Sequence, residues 1–351
     1  MSSPRQSFHV IGGPAIQEIL SRSPNDVIDC VREAYRLHHA GSTINPDSYF
    51  LRFPDKPTSR IIALPARVMA DHDIAGIKWI SSFPENRLEN LQRASAIVVL
   101  NDMATGFPYA CLEGSLISAA RTAASAALAA ELLHREKRTD GLGVVGAGPI
   151  AATAIGYLIA AGWRIGRVNV HDLVEKRAAD FCRWLKDRGL AAEVALTSMD
   201  AIRGSDIVLF GTTAAKPHVE DADLFTPQQT VLHVSLRDLG VPVILSAFNV
   251  VDDVEHSMKA QTSVHLAEQA TGARNFVAGT IGNLIDGSLK PDQTKVRIFS
   301  PFGLGVLDLM LAALIYRRAT AAGTAIEIDD FFDTSGADAA TPNGLPLGAS
   351  S

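Results

Sequence analysis

The stretch that most constrains this chain is "DGLGVVGAGPIAATAIGYLIAAG", residues 140–162. The apolar run "LGVV" reads as a buried strand, and "IAATAIGYLIAAG" reads as a helix. Between them, Gly146-Ala147-Gly148-Pro149-Ile150-Ala151 fits the pattern G-x-G-x-x-G/A. The pattern alone is weak, and the strand before it and helix after it are what give it meaning. Gly146 permits the tight turn, Gly148 lets the backbone approach a pyrophosphate at the helix N-terminus, and Ala151 allows close helix–strand packing. Roughly 20 residues further on, the spacing expected of such a unit, "RVNVHD" ends a second strand with Asp172 at its tip. A carboxylate there binds ribose hydroxyls and repels a 2′-phosphate, so the expected cofactor is NAD rather than NADP. Arg177, five residues later, would soften that preference or be a solvated helix residue. The competing reading is a glycine-rich turn that binds nothing.

Downstream, "RVNVHD", "EKRAADFCRWLKDRG", "AEVALT", "DIVLFGTT" and "TVLHVSL" alternate strand and helix patterns, the rhythm of a doubly wound parallel sheet. Upstream, "SYFLRF", "RIIALPARV", "IAGIKWIS", "AIVVLND" and "PYACLEG" are short β-rich runs separated by turn residues. They predict a mixed or antiparallel sheet, preceded by a short strand "SFHVIG" and a helix over 24–41. An alanine-rich helix begins near Leu116 and runs to about His134. The expected fold is α/β: a Rossmann-type doubly wound parallel sheet plus a mixed α+β domain for substrate binding and dimerisation. The first domain would comprise 1–118 and 305–332, the NAD-binding domain 119–304, and 333–351 a disordered tail rich in Gly, Ala, Ser, Pro and Asp.

Composition excludes several classes. The net charge is −6 with no long basic run, so nucleic acid and anionic membranes are not expected partners. Cys30, Cys111 and Cys182 are far apart with no CxxC, which predicts a reducing, cytoplasmic setting, no disulfide frame, no zinc, and three small buried hydrophobes. The N-terminus lacks a basic region followed by an apolar one, so no secretory signal is expected. Residues 117–133 are apolar but carry Arg121 and are mostly alanine, which suits a soluble helix.

Four charged residues interrupt apolar surroundings. Arg60 opens "RIIALP", Lys78 lies inside "GIKWI", Arg121 breaks "SAARTAAS", and Asp238 follows the strand in "HVSLRDL". Strand periodicity turns Lys78 away from Ile77 and Trp79, onto the face of Gly76 and Ile80. It is either a lysine snorkelling from a sheet edge or a charge awaiting a carboxylate. Arg60 and Arg121 could equally be surface residues, and Asp238 a loop cap. Taken together, three cations and one carboxylate suit an amino-acid substrate: Arg and Lys bind carboxylates, and an acid or base is needed near nitrogen as hydride leaves the adjacent carbon. Thr212 and Thr213 end a parallel strand in "FGTTAA", where a cofactor contact or plain loop capping would place them.

The set "RIIALP", "GIKWI", "LND", "TGFP", "RTAA", "GAGPIA" and "SLRD" resembles the ornithine cyclodeaminase/μ-crystallin family from about residue 50 to about 318. The lysine strand and the RTAA run are specific to that family, while the glycine motif is not. "RIIALPARV", "RASAIVVLND", "SLISAARTAA" and "VVDD" are most similar to the branch that makes L-2,3-diaminopropionate for siderophores or peptide natural products. Two departures from the cyclodeaminases point to that branch. Arg93 replaces a threonine of the cofactor site, and "SPFG" (300–303) replaces Ser-Val-Gly. The resemblance implies NAD-dependent oxidation of N-(2-amino-2-carboxyethyl)-L-glutamate, then hydrolysis to 2-oxoglutarate and L-2,3-diaminopropionate. It implies that Arg60, Lys78, Arg121 and Arg93 bind substrate carboxylates and that Asp238 is the acid/base, with Lys78 also in the catalytic set. It further implies cofactor contacts from Arg121, Thr122, Ser235 and Pro301, beside the glycine loop and Asp172, and a homodimer. The family lysine after the aspartate is absent from "DLGVPV", and Arg237 stands where it could substitute. Two alternatives stay open: ornithine cyclodeaminase or a related ketimine reductase, and a non-catalytic crystallin-like binding protein.

Overall fold

The computed structural model describes residues 7–69 and 73–332. The expected tail lies outside the described residues. The chain begins with β1 (Phe8–Ile11), α1 (Gly13–Arg22) and α2 (Pro24–His39). β2 (Thr43–Ile44), β3 (Tyr49–Phe53), β4 (Lys56–Val68), β5 (Ile74–Ser82), β6 (Ala94–Asn101) and β7 (Pro108–Glu113) follow. α3 (Gly114–Leu133) leads to β8 (Arg138–Val145), α4 (Pro149–Ala160), β9 (Arg164–His171), α5 (Glu175–Lys186), β10 (Ala191–Val194) and α6 (Ser198–Ile202). Then come β11 (Ile207–Phe210), β12 (Thr230–His233), α7 (Val241–Ser246), β13 (Phe248–Val251), α8 (Val254–Ser257) and α9 (Ser263–Thr271). β14 (Val277–Thr280), α10 (Ile281–Ile285), β15 (Arg297–Phe299), α11 (Gly305–Ala321) and β16 (Ile326–Ile328) complete it.

The first sheet has the order β16-β1-β7-β6-β5-β4-β2, with β3 also on β4. It is antiparallel except where β1 runs parallel to β7. The second has the order β10-β9-β8-β11-β12-β15-β13-β14, and every pairing in it is parallel. This is the doubly wound sheet expected from the alternating pattern. Its ligand crevice lies beyond the C-terminal ends of the strands, where the order reverses.

α3 joins the two halves. It packs against α2, α4, α11 and β6, so the domain boundary expected at 118/119 falls inside one continuous helix. Although α3 is long and apolar enough to cross a membrane, most of it is buried inside the fold. α11 lies on β4 and β5.

The two faces of the first sheet differ sharply. Leu64, Lys78, Val98 and Leu112 form one cross-strand row, and all four are buried under α3 and α11. Tyr49, Ala63, Trp79 and Ile97 form a row on the other face, where Tyr49, Trp79 and Ile97 are exposed. One-residue alternation thus buries the lysine and exposes the tryptophan beside it. The cysteines depart from expectation: only Cys182 is buried, and Cys30 and Cys111 are partly exposed. Cys111 alternates onto the outward sheet face, in register with Val99 and Ile77.

Candidate active site

The glycine loop connects β8 to α4 at the C-terminal edge of the parallel sheet. Gly146 has φ +97°, and a Cβ there would lie 2.8 Å from the carbonyl oxygen of Gly211. No side chain fits between these backbones, so the loop is a cradle that a Cβ would fill. Gly148 is the N-cap of α4 and Pro149 opens the helix, leaving first-turn N–H groups directed at the crevice. Ala147 and Ile150 border the loop, half-buried. The Asp172 carboxylate accepts from Ala147 N at 3.0 Å and from Val174 N at 2.9 Å. It is therefore aimed beside the glycine loop, with lone pairs left for a diol. These residues fit a dinucleotide, the adenosine half at Asp172 and the pyrophosphate at α4.

Lys78 lies on the other sheet, on β5. Its Nζ is 2.6 Å from Asp308 Oδ2, and the two side chains are 2% and 0% exposed. Arg121 Nε approaches Asp308 Oδ1 at 3.2 Å, and Lys78 also donates to Ser118 Oγ at 3.2 Å. One carboxylate thus serves two cations. Burial draws the Lys78 ammonium down to about 8, with Arg121 adding to the fall and Asp308 opposing it. Asp308 sits in the first turn of α11 and was not singled out by sequence reasoning; an acid in "GVLDLMLAAL" is its one signal. Gly303 has φ +100°, and a Cβ there would lie 2.8 Å from Arg121 Nη1, so the "SPFG" loop needs glycine to admit the guanidinium. That loop is pinned by buried Asp252, which accepts from Phe302 N at 2.9 Å and Gly303 N at 2.6 Å. Pro301, also in this loop, is buried. Thr122 turns its hydroxyl back to Ser118 O at 2.8 Å.

Asp238 is fully buried, and donors crowd it. Thr212 Oγ1 and Ser235 Oγ donate to its two oxygens. His218 Nε2 is 3.0 Å from Oδ1 and His233 Nε2 3.2 Å from Oδ2. Burial opposes ionisation, but bonds from His218, His233 and Ser235 outweigh it and hold the carboxyl far below the usual range. His233 is buried and also meets Ser300 Oγ at 3.0 Å, whereas the His218 side chain is 37% exposed. Thr212, expected to touch cofactor, is engaged with Asp238, while Thr213 is exposed on the same loop. Neither histidine stands out in the sequence, although His218 lies three residues beyond "FGTTAA" and His233 lies inside "TVLHVSL".

Arg60 shares the inward face of β4 with Leu64, the residue opposite Lys78, four positions further along. That is about 13 Å of strand, so Arg60 and Lys78 are not in contact at the backbone level. Arg60 lies opposite Ser82, and Arg93 Nη1 donates to Ser82 Oγ at 2.6 Å. Among the described residues neither arginine has a carboxylate partner. The structure therefore joins Lys78 to Arg121 and Arg60 to Arg93, as two separate cationic groups.

Residues 15–323 match the ornithine cyclodeaminase/mu-crystallin family model. The chain belongs to this family. It is 28% identical over 302 residues to the N-((2S)-2-amino-2-carboxyethyl)-L-glutamate dehydrogenase of Staphylococcus aureus, covering 83% of this chain and 89% of that one. It is 29% identical over 318 residues to the alanine dehydrogenase of Archaeoglobus fulgidus, covering 88% and 95%. A solved archaeal alanine dehydrogenase dimer with bound NAD superposes with a TM-score of 0.82 at 27% identity, covering 93% of this chain and all (100%) of that one.

Proposed function

We propose that this family member is an NAD-dependent amino-acid dehydrogenase that oxidises the secondary amine of N-(2-amino-2-carboxyethyl)-L-glutamate. Water then releases L-2,3-diaminopropionate and 2-oxoglutarate, with one NADH and one proton formed per turnover. The observation that carries this reading is the surplus of cation. Lys78 and Arg121 share the single carboxylate of Asp308, and Arg60 and Arg93 have none among the described residues. Burying positive charge without a counter-ion is costly, and a substrate with three carboxylates supplies the missing anions. The likeness to the Staphylococcus aureus dehydrogenase supports the same choice.

Bound at the glycine loop and Asp172, NAD would accept hydride from the carbon bearing the amine. The chain's own groups do the rest. Lys78, Arg121 and Arg60 bind carboxylates and fix which carbon faces the cofactor. Asp238 stays anionic and orients His218, and the resemblance's acid/base role falls to this pair. His218 takes the amine proton and passes it to solvent, then takes one from the attacking water and returns it to the departing amine, with Asp238 stabilising each imidazolium. Thr212, Ser235 and His233 hold Asp238 in place. The exposed row of Tyr49, Trp79 and Ile97 supports a homodimer formed through the outer sheet face.

The test is NADH absorbance with NAD and the synthetic adduct, with L-ornithine in parallel. NADH and 2-oxoglutarate from the adduct are expected. Proline from ornithine with no reaction of the adduct would assign a cyclodeaminase instead.

A further inference from the structure

The Arg60 end of the sheet carries more positive charge than the Arg60–Arg93 pair. In the register of β3 and β4, Arg52 lies directly opposite Arg60. Like charges directly opposite one another destabilise a sheet, and of this pair Arg52 is exposed while Arg60 is half-buried. Across the crevice, next to Asp238, Arg237 reaches out from the parallel-sheet half. Its Nε donates to Gln261 O at 2.9 Å and its Nη2 donates to Ala260 O. Ala260 and Gln261 both have left-handed backbone, φ 54° and 57°, which non-glycine residues rarely adopt. Two strained residues in succession thus hold one guanidinium in place. Burial makes Arg237 easier to deprotonate than usual, and the charges of Arg60 and then Arg52 add to that effect. Arg93 is affected likewise by burial, then by Arg87 and Arg60. Among the described residues no carboxylate lies within ion-pair distance of Arg52, Arg60, Arg93 or Arg237, and the hydrogen bonds of Arg93 and Arg237 go to neutral oxygens. Arg52 instead packs its guanidinium 5.2 Å from the Phe50 ring centre.

We propose that Arg52, Arg93 and Arg237, grouped around Arg60, form a second anion subsite that takes the substrate carboxylates remote from the Lys78–Arg121 end. The subsite selects polycarboxylate substrates and rejects a side chain ending in an ammonium group. This rests on the reading of the protein as a dehydrogenase of a tricarboxylate amine, and it adds Arg52 and Arg237 to that reading as specificity-determining residues. A second anchor about 13 Å of strand from the first suits an elongated substrate, because each carboxylate meets its own guanidiniums without crowding one site.

The experiment is calorimetric binding of propane-1,2,3-tricarboxylate to the NAD-loaded enzyme, alongside steady-state kinetics with the adduct. Arg93→Gln and Arg237→Gln are each expected to weaken the tricarboxylate about tenfold or more, the effect of losing a charged hydrogen bond. Arg93→Lys and Arg237→Lys should recover part of it, and NAD affinity reports that the fold is intact. In turnover the loss should fall on KM rather than kcat, and L-ornithine should bind the Gln variants no worse than the wild type. Wild-type affinity in both Gln variants, or no tricarboxylate binding by the wild type, would overturn the subsite. If the adduct is not oxidised but tricarboxylate binding shows the predicted losses, the subsite stands and the assigned substrate falls.

Discussion

Lys78 makes the sharpest prediction, because its burial and its partner are both fixed. Its ammonium is drawn down to about 8 by burial, with Asp308 at 2.6 Å holding it up. At pH 7 it is then about nine-tenths protonated, and at pH 9 about one-tenth. A carboxylate bound through protonated Lys78 loses affinity as pH rises, so kcat/KM should fall about tenfold per unit above pH 8. Two substitutions move this limb in opposite directions. Lys78→Arg keeps its charge throughout and should abolish the limb, even if the bulkier head lowers the plateau. Asp308→Asn removes the group that raises the lysine and should shift the limb to lower pH. It should also destabilise the fold by about 3–5 kcal/mol, the usual cost of orphaning a buried charge. Stability has its own signature. The lysine is lowered in the folded state from 10.5 to about 8, so across that window the unfolded chain binds more protons. Stability therefore rises with pH there, by roughly 3 kcal/mol in full, and Lys78→Met should remove that rise. The assays are a pH series of kcat/KM and urea unfolding at pH 7.5 and 10. An alkaline limb at the same pH in wild type, Lys78→Arg and Asp308→Asn would refute the assignment.

Other expectations follow from the same geometry. Asp238→Asn should retain NAD affinity by fluorescence titration and lose turnover by about three orders of magnitude, because the amide cannot stabilise a charged His218. Asp172→Ala should raise KM for NAD about tenfold and narrow the preference over NADP, since the ribose acceptor and the repulsion of a 2′-phosphate go together; an unchanged NAD/NADP ratio would count against the adenosine placement. Trp79→Glu combined with Ile97→Glu should convert a species of two chains to one by light scattering, because both project from the exposed sheet face; a wild-type mass equal to one chain would remove the dimer.

The features that were legible in the sequence are local ones. The glycine loop could be read because strand, turn and helix are contiguous; the approach of Gly211 to Gly146 from 65 residues away could not. Strand periodicity of two made it legible that Lys78 faces away from Ile77 and Trp79, but not which face is inward: the apolar pair suggested burial, and the structure exposes Trp79 and buries Lys78. Nor was its partner legible, since Asp308 is 230 residues away on an apolar helix that only tertiary packing brings to β5. The same limit hid His218 and His233, whose meaning comes from converging on Asp238 across the ends of the parallel strands. Arg52 depends on register: a shift of one residue in β3 would have turned it to the other face. Cys111 shows the converse error, since residue type suggested burial and alternation placed it outward.

The proposed reaction moves one hydride and breaks one carbon–nitrogen bond. The direct measurement is a single reaction with NAD and N-(2-amino-2-carboxyethyl)-L-glutamate carrying deuterium at the glutamate α-carbon, analysed by mass spectrometry. Deuterium is expected in the reduced cofactor, with unlabelled 2-oxoglutarate and L-2,3-diaminopropionate in equal amounts. Deuterium retained in unreacted adduct, with no reduced cofactor formed, would contradict it.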